Sequence, residues 1–189
     1  MEVHEPPSTY AEYNLLPADA PRYEILEGVG YLTPAPGTRH QMISANLEQL
    51  LYQYVRGHGL GSVYHAPLDV VLSETDVVQP DVIYIARERY GIIKSRGIFG
   101  VPDMVIEILS PSSMQRDCQQ KLALYTRSGI SEYWIVGEEN RSVDIWTSAE
   151  TALDTRRVAT GETLIQSQVM PGLQVSPAQL FAGIDEIPL

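Results

Sequence analysis

The sequence predicts an α/β protein, and two observations carry that prediction. Short apolar runs rich in β-branched residues, at 82–85, 104–109 and 133–136, have strand length and are bounded by turn residues. Around them lie two stretches with apolar side chains at helical spacing, opening near Thr38 and Ser112 and closing at glycines. With 189 residues, 44% of them apolar, the chain is long enough for one domain with a sizeable core. Residues 1–20 read as an N-terminal arm and residues 21–189 as that single domain.

The arm carries Pro6, Pro7 and Pro17 with little periodicity. Its acidic and proline residues stand where a signal peptide has a basic end and an apolar block, and no run approaches the roughly 18 apolar residues of a membrane helix. A cytoplasmic protein without a membrane partner is expected. The single Cys118 fits that expectation and excludes an internal disulfide. The net charge of -11, from 13 Lys and Arg against 24 Asp and Glu, argues against a protein that coats itself with nucleic acid. A locally positive site, or one made positive by bound cations, remains compatible with it.

Residues 23–32 predict two short strands around a turn at 27–30, in which Glu24 alternates with Ile25 and takes the solvent side. A helix follows, with Thr38 as N-cap and Gln41 completing a capping box. Ile43, Leu47, Leu50, Leu51 and Tyr54 form its stripe, and Gly57 or Gly59 ends it. His40 lies one turn before Ile43, on the buried side, where a capping or core role is commoner than a catalytic one. Residues 62–86 predict an antiparallel meander, with its last strand interrupted at Pro80 and resuming at Asp81. Asp69 is a second acid within this region, and Glu74 and Asp76 read as solvent-facing. Residues 87–100 read as a surface loop that carries Arg87, Arg89, Lys94 and Arg96.

The next strand, 104–109, is apolar except for Glu107. An ionised carboxylate in such a place costs several kcal/mol unless a cation, a metal ion or a set of donors compensates it. Ser112 and Gln115 then open a second helix as a capping box, and Gly129 ends it. Cys118, Leu122 and Tyr125 mark its buried face, with Lys121 on the same side. A surface pair between Asp117 and Lys121 is the plain alternative. Residues 132–136 and 143–147 predict a hairpin, and the remainder predicts short apolar pieces with a final helix near 177–182.

Asp103 and Glu107 share a strand face but stand about 13 Å apart at 3.3 Å per residue, too far to hold one ion. Asp81 belongs to another strand, and neighbouring strands lie about 4.8 Å apart, so adjacency would let Asp81 and Glu107 point at one cation. Lys121 on the covering helix can reach the same spot. Two carboxylates and a lysine suit a phosphodiesterase site with a hard ion, because a metal-bound water attacks phosphorus readily and cations offset the transition-state charge.

The segments Val-Val-Gln-Pro-Asp81, Val-Pro-Asp-Met-Val-Ile-Glu107-Ile-Leu-Ser-Pro-Ser-Ser, Asp117-x-x-x-Lys121-x-x-x-Tyr125 and Gly129-Ile-x-Glu-Tyr-Trp-Ile-Val resemble the bacterial putative restriction endonuclease-like family of the PD-(D/E)XK nuclease superfamily. The likeness takes in Tyr23-Glu24-Ile-Leu-Glu-Gly and the helix at His40, so it spans about residues 20 to 185. It implies a restriction endonuclease-like core with a mixed sheet flanked by helices and an N-terminal β-hairpin. It implies dependence on Mg²⁺ (or Mn²⁺), a nucleic-acid substrate with DNA foremost, and a homodimer. Carried over by position, Asp81 and Glu107 are the metal ligands and Lys121 the charge stabiliser, with Glu24 and His40 as accessories. The lysine that the superfamily pattern places two residues after the glutamate is Leu109 here, so Lys121 stands in from the helix.

A different class of function competes with the nuclease. In a non-catalytic dimeric binding or regulatory module, Lys121 alone neutralises Glu107, and the acidic net charge favours that view. A small-molecule hydrolase using His40 has little support, because no positioned Ser or Cys nucleophile accompanies it.

Overall fold

A computed structural model describes residues 5–17, 19–110, 116–148 and 152–187, together with their side chains except those of residues 116 and 117. In chain order the elements are a one-turn helix α1 (Tyr10–Tyr13), β1 (Tyr23–Leu26), β2 (Val29–Leu32), α2 (Thr38–His58), β3 (Gly61–His65), β4 (Val70–Ser73), β5 (Asp76–Val78) and β6 (Val82–Ala86). After a 3-10 turn (Arg87–Ile92) come β7 (Ile93–Lys94), β8 (Gly97–Phe99) and β9 (Met104–Ile108). A π-type turn (Arg116–Lys121) leads into α3 (Leu122–Ser128), followed by β10 (Glu132–Gly137), β11 (Ser142–Ser148), β12 (Leu153–Thr160), β13 (Ile165–Gln166), β14 (Gln174–Val175) and α4 (Pro177–Leu180).

The strands form two six-stranded sheets, β2-β1-β5-β4-β8-β7 and β12-β11-β10-β9-β6-β3, beside the small pair β13-β14. The second sheet is mixed. β9 and β10 run parallel, while β6 pairs with β9 antiparallel through Val82↔Ile106, Ile83↔Val105 and Tyr84↔Met104. Side chains of a strand alternate between faces, so β9 serves two cores. Met104, Ile106 and Ile108 pack with Ile43, Leu47, Leu51 and Val55 of α2. Val105 packs on the other face, with Leu26 of β1, Val78 of β5, and Leu124 and Tyr125 of α3. All five residues of β9 are buried, as a strand covered on both faces must be. Glu107 shares the parity of Val105 and therefore projects towards α3 and β1.

Several expectations change on this scaffold. The meander over 62–86 is replaced by two sheets: β5 pairs with β1 and β4, while β6 pairs with β3 and β9. Pro80 supplies no N–H to a ladder, and the chain passes from one sheet to the other there. The first hairpin turns on Glu27 and Gly28 alone, both at positive φ (52° and 75°), a two-residue loop whose twist matches the flanking strands. The arm crosses this hairpin so closely that a Cβ on Gly30 would lie 2.5 Å from the Pro7 carbonyl oxygen.

α2 begins at Thr38, behind Gly37 as a cap without a side-chain hydrogen bond, so the capping box from Thr38 does not form. Gly59, in the left-handed region, ends it as expected. The capping box at Ser112 and Gln115 lies outside the described residues. Residues 87–100 are no plain loop, since they carry β7 and β8. The polar stretch Leu153–Thr160 is an edge strand that short-range apolar patterning does not announce. No helix of the described residues is long and apolar enough to cross a membrane.

Candidate active site

The pairing of β6 with β9 ends at Val82↔Ile106, so Asp81 and Glu107 are the next residues along the two chains. Asp81 closes that end itself. Its Oδ2 accepts from the Ile108 backbone N–H at 2.7 Å, and its carbonyl accepts from the N–H of Ala66 at 3.1 Å. His40, in the first turn of α2, places Nε2 3.2 Å from the same Oδ2. Burial pushes the His40 imidazole down, but the hydrogen bond and charge of Asp81, helped by the Ile108 backbone, outweigh it and raise its pKa. Its Nδ1 is buried and has no hydrogen-bond partner among the described residues. Asp81 Oδ1 accepts no hydrogen bond among the described residues.

The charge on Glu107 is met from the helix above it. Lys121 Nζ lies 2.8 Å from Glu107 Oε1 and 2.8 Å from Glu24 Oε1, while the Tyr125 hydroxyl donates to Glu107 Oε1 at 2.8 Å. Lys121 and Tyr125 stand at i and i+4, on one helical face. Burial first, and the neighbouring Glu107 charge second, hold the Tyr125 phenol well above its ordinary pKa, so it remains a donor. Glu24 also accepts from the Gln79 backbone N–H at 2.9 Å. The solvent side assigned to Glu24 is corrected here. All four residues of β1 are buried, and Leu26, on the same face as Glu24, packs with α3 and the second sheet, whereas period-2 alternation assumes one wet face.

Glu24, His40, Asp81, Glu107 and Lys121 all line one cavity of about 720 Å³. Four of its lining residues are carboxylates (Glu24, Glu48, Asp81 and Glu107), against the cations Arg22 and Lys121. Such an excess of negative charge attracts cations. Among the described residues no group of three or more His, Cys, Asp or Glu is arranged to hold a metal ion. Two carboxylates with open neighbouring space still fit Mg²⁺, which is bound through one or two carboxylates, waters and substrate phosphates rather than by a protein cage.

The rival acids lie elsewhere. Asp103, at the far end of β9, accepts from the Ala86 N–H at 2.8 Å and from Arg89 at 3.2 Å. Asp69 accepts from Gln79 Nε2 at 2.7 Å in a separate cavity. Asp76 is not solvent-facing, since it binds Arg127 at 2.9 Å and the Glu27 N–H at 3.0 Å. The basic residues of 87–100 are dispersed: Arg89 pairs with Asp103, Lys94 donates to the Gly91 carbonyl at 2.6 Å, and Arg96 lines the separate cavity. Sequence reading placed Tyr125 on a buried face without giving it a partner, although its i+4 spacing from Lys121 is a usable signal. Gln79 had no signal beyond its place before Pro80 and Asp81.

Comparison with known proteins bears on the fold and the family. No curated protein matches the chain. Its fold is that of a solved structure described as a putative nuclease belonging to DUF820 from Anabaena variabilis, at a TM-score of 0.79 and 20% identity over 94% of this chain and 99% of the other. The sequence profile of the family Uma2, described as "Putative restriction endonuclease", matches residues 10–179, and the chain belongs to that family.

Proposed function

We infer that the protein is a metal-dependent nuclease of the PD-(D/E)XK type that hydrolyses phosphodiester bonds of nucleic acid, DNA foremost. The observation that supports this reading is that Asp81, Glu107 and Lys121 line one cavity, beside the end of the β6–β9 pairing at Val82↔Ile106. Asp81 and Glu107 would hold Mg²⁺ or Mn²⁺. A metal ion there supplies a water of lowered pKa and offsets charge on the phosphoryl oxygens. Lys121 contributes a fixed positive charge beside the reacting phosphate, and Glu24 keeps that ammonium in place. Tyr125 fixes the orientation of Glu107, and His40 fixes Oδ2 of Asp81. Residues 21–189 act as one domain with residues 1–20 as an arm, and a homodimer in the cytoplasm belongs to the same reading.

One observation favours the non-catalytic alternative. Lys121 is 3% exposed and satisfied by two acids, as expected of a buried ion cluster that only stabilises a binding module. Incubation with supercoiled plasmid and with single-stranded circles separates the two, in Mg²⁺, in Mn²⁺ and in EDTA. Cleavage that requires the metal supports the nuclease. Failure to cut under every condition supports the module, and light scattering reports the dimer in either case.

A further inference from the structure

A second cavity, of about 370 Å³, adjoins the first, and Ala20, Pro21 and Arg22 line both. Two cavities with a shared wall can hold successive parts of one extended ligand. Their chemistry differs: the first is rich in carboxylates, whereas the second offers Arg22 and Arg96 against Asp69 alone, with Tyr10 and Tyr13 beside them. Both arginines are exposed, and neither guanidinium makes an ion pair or hydrogen bond among the described residues. Burial pushes the Asp69 carboxyl up, against the hydrogen bond from Gln79 and the charge of Arg22, which weakens the one anion in the cavity.

The two tyrosines are held. Tyr10 meets Phe99 edge-on at 5.4 Å between ring centroids, and the Tyr13 hydroxyl accepts from Gln79 Nε2 at 3.1 Å. The same Gln79 gives its backbone N–H to Glu24, so one residue ties the second cavity to the floor of the first. Free guanidinium groups suit phosphates, and fixed aromatic rings suit the faces of unpaired bases. A duplex is a poor occupant. The Glu107 and Lys121 side chains are only 5% and 4% exposed, so a reacting phosphate must descend to the cavity floor. Duplex DNA, with a persistence length of about 50 nm, resists that local bend, whereas a single strand does not.

We propose that the second cavity is a subsite for a single-stranded nucleic acid, with Arg22 at the step between cavities, Arg96 on a phosphate flanking the scissile one, and Tyr10 and Tyr13 stacking the adjoining bases. The proposal rests on the nuclease reading for the place of cleavage, but its test does not require cleavage. Fluorescence anisotropy of labelled dT12, rU12 and a 12-base-pair DNA duplex is measured in Ca²⁺ and again in EDTA, for wild type, Arg22→Ala, Arg96→Ala, Arg96→Glu and the remote control Arg141→Ala. Thermal melts of each variant check that it is folded.

Wild type binds dT12 or rU12 at least tenfold more tightly than the duplex. Arg96→Glu loses tenfold or more of that affinity, and each alanine variant flattens the log-log salt slope by about 0.7, the share of one phosphate contact on a single strand. Arg141→Ala matches wild type. Duplex binding as tight as single-strand binding, unchanged affinity in the folded Arg22 and Arg96 variants, or no binding by wild type overturns the proposal. If wild type cleaves but these variants bind normally, the subsite is wrong and the nuclease stands. If arginine-dependent single-strand binding occurs without cleavage, the nuclease is wrong and the subsite stands.

Discussion

Lys121 places its Nζ 2.8 Å from Oε1 of Glu107, and both side chains are almost fully buried. The same nitrogen holds Glu24, so one cation compensates two acids that hydrophobic packing would otherwise reject. This contact ties the stability of the fold to the chemistry of the cavity, because removing the cation takes a shared counter-charge from two buried acids.

Lys121→Met should therefore lower stability by about 3–5 kcal/mol, the usual cost of breaking a buried ion cluster by removing one partner. Adding Glu24→Gln to that variant should restore part of the loss, because one stranded charge disappears. Urea unfolding of the three proteins checks both statements. Equal stability of wild type and Lys121→Met would show that the cluster is wetter than its burial implies.

The His40 imidazole should titrate above its ordinary value near 6.5 in metal-free protein. A histidine whose folded pKa is raised adds stability that is fully present below the unfolded pKa and is lost as pH rises through the folded one. The stability gap between wild type and His40→Gln should be widest in mildly acidic EDTA buffer and narrow as the pH rises past neutral. In Asp81→Asn the favourable charge is gone while burial stays, so the imidazole signal in a proton NMR titration should move to lower pKa. No movement would mean that Asp81 is not what raises it.

Glu132 gives a contrast. It is 0% exposed, its Oε1 accepts from Trp134 Nε1 at 2.6 Å, and its Oε2 accepts from Ser167 Oγ at 3.0 Å, Gln168 N at 2.7 Å and Val169 N at 3.2 Å. Glu132→Gln puts an amide donor where a carboxylate oxygen accepted, and should cost about 3 kcal/mol in denaturant unfolding. Cleavage per folded molecule should stay at the wild-type level, because Glu132 does not line the cavity. Lost activity in the folded variant would assign it a functional part.

Glu132 also shows what the sequence could and could not reveal. Glu107 stood out because its neighbours on both sides are apolar, and its strand, the end of the second helix at Gly129 and the following hairpin were legible from local spacing, whereas the π-type turn that bears Lys121 was not. Glu132 is as deeply buried but begins its strand beside Ser131, and apart from Trp134 its donors lie 35 to 37 residues further on, beyond any short-range pattern. Glu24 read as wet because alternation implies one solvent face, and only the stacking of two sheets buries the other. The split at Pro80 was legible as a break, but which sheet each half joins is decided by non-local pairing with β1 and β9.

The most direct measurement is the metal-supported cleavage rate of wild type beside Asp81→Ala and Glu107→Ala, each shown to be folded, on plasmid and single-stranded substrates. Wild type should cut, and each substitution should slow cutting by about 10²-fold or more, as loss of a charge-bearing group at a reacting centre does. Cutting that persists at the wild-type rate in both variants would contradict the assignment of this cavity.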